Sequence, residues 1–277
     1  MSAPEILAAA AEGRIKALWI VSDHWLRSAP DRALAEKALE QAELVIVNEL
    51  FLTDTAARAH VVFPVTSFAE KEGVVVDSER RLQKSVRALP PRRGTRPDWE
   101  VFQAVAQAMG ARWSYRTAED VFREIAQLVP TCHGMLWATL LPEGVTWSQQ
   151  RLAPGVSMPA EPSPAAGEGL ALLSGGVLFL QGSLSHHSRL LPHLAQQARA
   201  YLHPEEAARL EVGEGEPLEL AGPAGRITLP AALDASVPAG SVFVPYAYPA
   251  VELNRLGLMA SAPTRVKARR VAAMAAV

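Results

Sequence analysis

The stretch FLTDTAARAHVVFPVTSFAEKEGVVVDSERRLQ, residues 51–83, decides how the chain is read. Thr53 is placed to N-cap a short helix over residues 53–59, with Asp54 in the first turn, where a carboxylate favours the helix dipole. Val61, Val62 and Phe63 make a short apolar run closed by Pro64, the pattern of a buried strand end. Glu70, Lys71 and Glu72 form a charged turn, and Gly73 supplies the backbone freedom to begin a strand at Val74–Val76. Glu79, Arg80 and Arg81 then form either a buried ion network or a solvated strand edge.

Working outward toward the start, residues 4–11 read as a helix stopped by Gly13. Residues 15–21 are a largely apolar strand, as in a parallel sheet covered on both faces, and they end in Ser22, Asp23 and His24. Leu34, Ala35, Ala38 and Leu39 recur at helical spacing over 31–41, with Asp31 at the head. Residues 44–47 are the next strand, ending at Asn48. Strand, helix, strand at this spacing predicts a right-handed βαβ unit within an α/β layer. Ligands of such sheets sit beyond the carboxyl ends of the strands, which makes Ser22, Asp23, Asn48 and Thr53 candidates.

Toward the other end, residues 85–97 are rich in Pro and Arg, and the Pro90–Pro91 pair bars helix and sheet alike. The segment is a solvated linker or, more sharply, a basic patch facing phosphate or a partner. Residues 98–109 predict a helix with Trp99, Phe102, Val105 and Ala106 on one face. Thr117 to Asp120 opens another helix that runs to Leu128. Both are expected to pack on the sheet. Residues 153–169, with four prolines, have the composition of an interdomain linker. Beyond it, strands over 170–173, 177–180, 217–220, 226–229, 241–244 and 265–269, a helix over 204–210 and frequent glycines predict a small β-barrel. The expected layout is an incomplete α/β domain over 1–152, the linker over 153–169, and the barrel over 170–277.

Composition excludes several classes. With 277 residues, 49% hydrophobic and 20% charged, the chain has ample material for one large or two ordinary cores. A net charge of −2 gives no nucleic-acid footprint. The single cysteine, Cys132, excludes an internal disulfide and an iron–sulfur cluster held by this chain alone. His186 and His187 are adjacent, whereas two histidines sharing one ion normally stand a helical turn apart, so no metal site is expected. No apolar run reaches the ~20 residues of a membrane span, and the N-terminus has no signal-peptide pattern.

The blocks in 51–83 also carry a likeness. Their order and spacing resemble the "TETA…ADVVLP…AEKEGT…N-ERR-Q" passage of the molybdopterin oxidoreductases, a family that includes formate dehydrogenases and the large G-type component of bacterial NADH-quinone oxidoreductase. Residues 85–99 resemble that family's "PPGEARPDW" connector, with Arg92 and Arg93 where Gly and Glu are commoner. Tyr201 to Gly215 resembles "INPEDAARLGI-DGD" of its dinucleotide-binding domain, a double-psi barrel. The resemblance covers nearly all of this chain but only the C-terminal part of a full family member.

The resemblance implies a Rossmann-like parallel sheet layer, partial, followed by a double-psi β-barrel. It implies a nucleotide-facing role for Thr53 and Thr55, and for the loop Gly182, Ser183, Ser185 and His186, with Asn254 kept near the end. Two departures point to the G-type branch, in which the fold persists without cofactor. The family's "GR" arginine is replaced by Gly176 ahead of a shortened loop, and the C-terminal motif is lost after Leu256. Arginine–pyrophosphate contacts are among the strongest such a site has. The expected function is therefore a non-catalytic structural portion of an electron-transfer oxidoreductase. Such a chain binds no cofactor alone, lies on the cytoplasmic side as part of a peripheral arm, and packs against subunits that carry iron–sulfur clusters. The alternative is half of a split formate-dehydrogenase-like enzyme, which shares molybdenum and molybdopterin guanine dinucleotide with a partner chain.

Overall fold

The computed structural model describes residues 1–140, 143–147, 168–180, 182–195, 197–246, 248, 250–258 and 264–272. Most of the expected linker, residues 153–167, and the segment 259–263 lie outside the described residues, as does the side chain of Ser183. The chain divides into two compact units, one of residues 17–23 and 44–158, the other of 1–16, 24–43 and 159–277.

In chain order the first elements are α1 (Ala3–Ala11), β1 (Ala17–Val21), α2 (Trp25–Ser28), α3 (Arg32–Gln41), β2 (Leu44–Glu49), β3 (Val61–Pro64), β4 (Gly73–Val76) and β5 (Arg81–Ser85). Then come α4 (Asp98–Ala108), α5 (Ala118–Leu128), β6 (Val145–Thr146) and β7 (Leu170–Leu173). The last are α6 (Ser183–His186), α7 (Leu191–Leu194), β8 (Ala200–Leu202), α8 (Pro204–Arg209), β9 (Pro217–Ala221), β10 (Arg226–Leu233), β11 (Ser241–Phe243) and β12 (Arg265–Arg270).

In the unit of residues 17–23 and 44–158, β1, β2 and β3 form a parallel sheet in that order. Leu18, Ile20, Val45 and Val47 alternate onto one face and are buried. On the other face Trp19 meets Phe102 of α4 edge-on at 5.1 Å. The expected buried run at 61–63 is not buried: Val61 and Val62 are 38% and 37% exposed. β3 is the edge strand of this sheet, and among the described residues its far side is met only at the end, where Pro64 O accepts from the Arg96 amide at 3.3 Å. The expected helix over 53–59 shrinks to one 3-10 turn, Ala56–Arg58.

A second sheet was not anticipated. β4, β5 and β6 pair antiparallel in that order, and α5 packs on it, burying Phe122 and Ala126 with Leu82, Cys132 and Leu140. The two helices expected on one sheet thus serve different sheets, α4 the parallel one and α5 the antiparallel one. Arg81 pairs with Glu79 at 2.6 Å in the open, so this segment is a solvated strand edge and not a buried network. α5 starts as its sequence predicts. Asp120 accepts from the Arg116 and Thr117 amides at 2.9 and 3.0 Å, and Thr117 Oγ1 accepts from the Asp120 amide at 3.2 Å.

In the other unit α1 packs on α3, and Asp31 caps α3 by accepting from the Leu34 amide at 3.0 Å. Six strands close a barrel in the order β10-β8-β11-β7-β12-β9. β10–β8 and β11–β7 are parallel and the other pairs antiparallel. Leu202, Leu218, Leu220, Val242 and Leu256 fill its interior without exposure. Residues 177–180 are not a strand but an isolated Val177–Leu180 bridge with Phe179 at φ 74°. β8 was missed because three residues are too few to show an alternation. β10 runs on to Leu233 because it changes partner, pairing with β9 up to Pro230 and with β8 from Ala231. Proline lacks an amide donor and is tolerated at such a changeover.

The β9–β10 turn lies against the 3-10 turn Leu253–Leu256: Ala224 donates to the Leu256 carbonyl at 3.1 Å, and a Cβ at Gly222 would stand 2.3 Å from that oxygen. Gly222→Ala is therefore expected to destabilise the protein by about 1–3 kcal/mol, read from denaturant midpoints.

The Asp120 carboxyl is held below the usual range, mainly by the Arg116 amide, with help from Thr117 and Arg123. A carboxyl lowered on folding contributes stability above its unfolded value and loses it as pH falls through the folded one. Asp120→Asn should lower Tm at neutral pH, and the gap to the parent should close as pH falls below the usual carboxylate range, through the lowered folded value.

Candidate functional site

The carboxyl end of the parallel sheet gathers the first group of candidates. Val21 stands beside Asn48, and Asn48 beside Phe63. Ser22 turns into the left-handed region at φ 51°, and its amide adds one rung to the ladder by donating to Asn48 O at 2.9 Å. Asp23 follows it. Thr53 and Thr55 occupy the turn after β2 and are buried, Thr55 completely. Thr53 Oγ1 accepts from the Ala56 amide at 3.2 Å, but the N-cap of the 3-10 turn that replaces the expected helix is Thr55 and not Thr53.

Asn48 is engaged inside the protein. Its Oδ1 accepts from Trp19 Nε1 at 2.9 Å and its Nδ2 donates to Asp98 Oδ1 at 3.3 Å. Asp98 also pairs with Lys71 at 2.8 Å. The chain Trp19–Asn48–Asp98–Lys71 ties the strand end to the first turn of α4.

Sequence reasoning overlooked Thr66. It is 1% exposed, and its hydroxyl has no hydrogen-bond partner among the described residues. Its amide donates to Arg96 O at 3.1 Å. The signal was present: a hydroxyl residue two positions beyond the last parallel strand occupies the same edge as Ser22 and Asn48.

The second group lies in the other unit. Gly182 precedes the one-turn helix α6, and Ser185 folds its hydroxyl back to donate to Gly182 O at 2.6 Å. His186 Nδ1 faces the Arg27 guanidinium at 3.1 Å. A guanidinium only donates, so Nδ1 is the acceptor in this contact. Arg27 also donates to Tyr248 O at 2.9 Å. Burial, and next to it the nearby Tyr201, raise the Tyr248 phenol above its usual value. Asn254 is buried and donates twice, to Leu26 O and Ala29 O, both at 3.0 Å. Arg27 and Tyr248 were not foreseen. Nothing in their local sequence marks them, because their meeting spans 221 residues.

The candidates therefore fall into two groups, one in each unit: Ser22, Asp23, Asn48, Thr53 and Thr55, and Gly182, Ser185, His186 and Asn254. The described residues do not fit a metal ion. Among the described residues no three of His, Cys, Asp and Glu come together, and Cys132 is buried among hydrocarbon side chains. Nor do the described residues by themselves assemble a complete pyrophosphate site. The guanidinium beside the Gly182–His186 loop is engaged with Tyr248 O and His186, and both asparagines bond inward. No helix of the described residues is long and apolar enough to cross a membrane.

Two family models match the chain, molybdopterin oxidoreductase over residues 2–108 and molydopterin dinucleotide binding domain over residues 170–268. The NADH-quinone oxidoreductase G 2 subunit of Rhizobium meliloti is 31% identical over 96% of this chain and 31% of its own length. The F420-dependent formate dehydrogenase 1 subunit alpha of Methanococcus maripaludis is 27% identical over 92% of this chain and 42% of its own length. The chain thus spans less than half the length of these relatives. Acetylene hydratase from Pelobacter acetylenicus shares the fold with a TM-score of 0.77, at 18% identity, over 98% of this chain and 47% of that one.

Replacing Asn254 by Leu should remove both of its buried hydrogen bonds, to Leu26 O and to Ala29 O. A loss of about 2–4 kcal/mol by chemical denaturation is expected, and Asn254→Asp should recover little of it, since a carboxylate cannot donate.

Proposed function

Because the chain belongs to the molybdopterin oxidoreductase family, we propose that it is a non-catalytic structural portion of an electron-transfer oxidoreductase, most like the C-terminal part of the G-type component of NADH-quinone oxidoreductase. One observation carries this reading: the polar groups that ought to face a dinucleotide bond inward. Asn48 holds the sheet to α4, Asn254 holds α2, and Arg27 is anchored on Tyr248 O. In this reading the parallel layer is Rossmann-like, the closed barrel is of the double-psi type, and both serve as packing surfaces for subunits that carry iron–sulfur clusters, on the cytoplasmic side of a membrane.

A second reading has its own support. The buried, unpartnered hydroxyl of Thr66, at the sheet edge where ligands gather, suits half of a split formate-dehydrogenase-like enzyme. A molybdopterin guanine dinucleotide, held jointly with another chain, would supply the redox-active metal. Ser22, Asp23, Thr53, Thr55 and Thr66 would then line this chain's share of the cradle, and no residue of the chain would ligate the metal.

Metal and guanine analysis separates the two. The native complex is isolated through a tag on this chain, and molybdenum and acid-released GMP are measured per mole of chain. The structural reading expects neither above background. Stoichiometric molybdenum together with guanine would overturn it in favour of the split enzyme.

A further inference from the structure

Helix α5 carries two apolar stripes. Ala118, Phe122 and Ala126 recur every fourth residue and are buried. Val121, Ile125 and Leu128 lie on another face, at the spacing of a second contact surface. With Val129 they join Trp99 and Phe102 of α4, and Trp113 and Tyr115 of the connecting segment, to line a groove of about 340 Å³. Leu128 is 71% exposed and Trp113 47%, although large apolar side chains side by side mark an interaction surface more often than plain solvent contact.

The groove is preformed. Gln103 of α4 clamps Tyr115 from both sides, donating to its carbonyl at 2.9 Å and accepting from its amide at 2.6 Å. Gln107, one turn on, donates to Trp113 O at 2.5 Å. These bonds fix the aromatic wall against α4. The lining holds one charge, the Glu124 carboxylate, which accepts from the Tyr115 hydroxyl. That hydrogen bond is the main reason the Tyr115 phenol is raised.

We propose that this groove seats an amphipathic α-helix of a partner protein whose apolar face carries an arginine or lysine opposite Glu124. The lining offers no strand edge, so recognition falls on side chains, as in helix-in-groove docking. From Val121 to Leu128 the floor runs about 10 Å, two turns of a helix. The lone carboxylate on an apolar rim is complemented by a cation. A second copy of this chain docking by two-fold symmetry would bring the same carboxylate and no cation of its own in the lining. The inference deepens the reading of the chain as part of a larger oxidoreductase and rests on it, but its test is independent of metal and guanine content.

Two synthetic helical peptides of about 18 residues, alike in a Leu/Ala face and differing by Arg or Glu at its rim, are titrated into the full-length chain by fluorescence anisotropy. The Arg peptide should bind at least about tenfold more tightly than the Glu peptide. Leu128→Glu, at an exposed position that leaves the core alone, should abolish binding of both while the melting curve is unchanged. Glu124→Lys should reverse the preference. Binding that survives Leu128→Glu, or a preference indifferent to Glu124, would overturn the proposal. So would concentration-dependent self-association abolished by Leu128→Glu, which would assign the groove to a second copy. Saturable uptake of naphthalene that neither peptide displaces would overturn it as well, in favour of a small apolar ligand.

Discussion

The hold of Asn254 on the carbonyls of Leu26 and Ala29 is the constraint from which one unit takes its form. A one-turn helix such as α2 satisfies almost none of its own backbone groups and cannot stand alone. The carbonyls of Leu26 within it and of Ala29 just after it are served by an amide more than 220 residues away. The same segment is fastened again where Arg27 donates to Tyr248 O, where Leu258 donates to Pro30 O at 2.8 Å, and where buried Arg32 meets Glu252 at 2.9 Å. Arg32 also pairs with Glu36 and donates to Leu26 O, so its charge is compensated on several sides. A barrel that looks self-contained in sequence is therefore completed by residues 24–43.

The same economy shapes the other unit. The strand end at Asn48 is a ligand position in open α/β sheets, but here the side chain bridges Trp19 and Asp98. Its oxygen and its nitrogen each have a partner inside the protein. Thr66 is the contrast, with a hydroxyl buried at the same edge and unpartnered among the described residues. The functional question for this chain turns on that difference between polar groups that face inward and those left to face something else.

Much of the fold was legible in sequence. The capping residues Asp31 and Thr117, the breaks at Gly13 and Pro64, and the strand expected over 217–220 act within a few residues of themselves, and the structure places them as read. What was misread depended on neighbours. Val61 and Val62 look like core residues, but they lie on an edge strand, and only the sheet order reveals an edge. The β4-β5-β6 sheet escaped notice because β5 is mostly polar and β6 has only two residues, and a pairing partner is what makes either a strand. The candidate site was legible as a set of strand-end positions, while the direction in which each side chain bonds was not.

By itself the sequence determined the local grammar: where α1, α3, α4, α5 and α8 start and stop, that a parallel layer precedes a barrel, that this chain has a single cysteine, and to which family the motifs belong. Tertiary structure alone decided the partners. It joined Arg27 to Tyr248 and Asn254 to Leu26, split α4 and α5 between two sheets, and left a second apolar stripe of α5 open. The physical reason is range. Caps, turns and periodicity are energies between residues a few positions apart, whereas a buried donor takes the nearest acceptor in space, and nothing in linear order says which that will be.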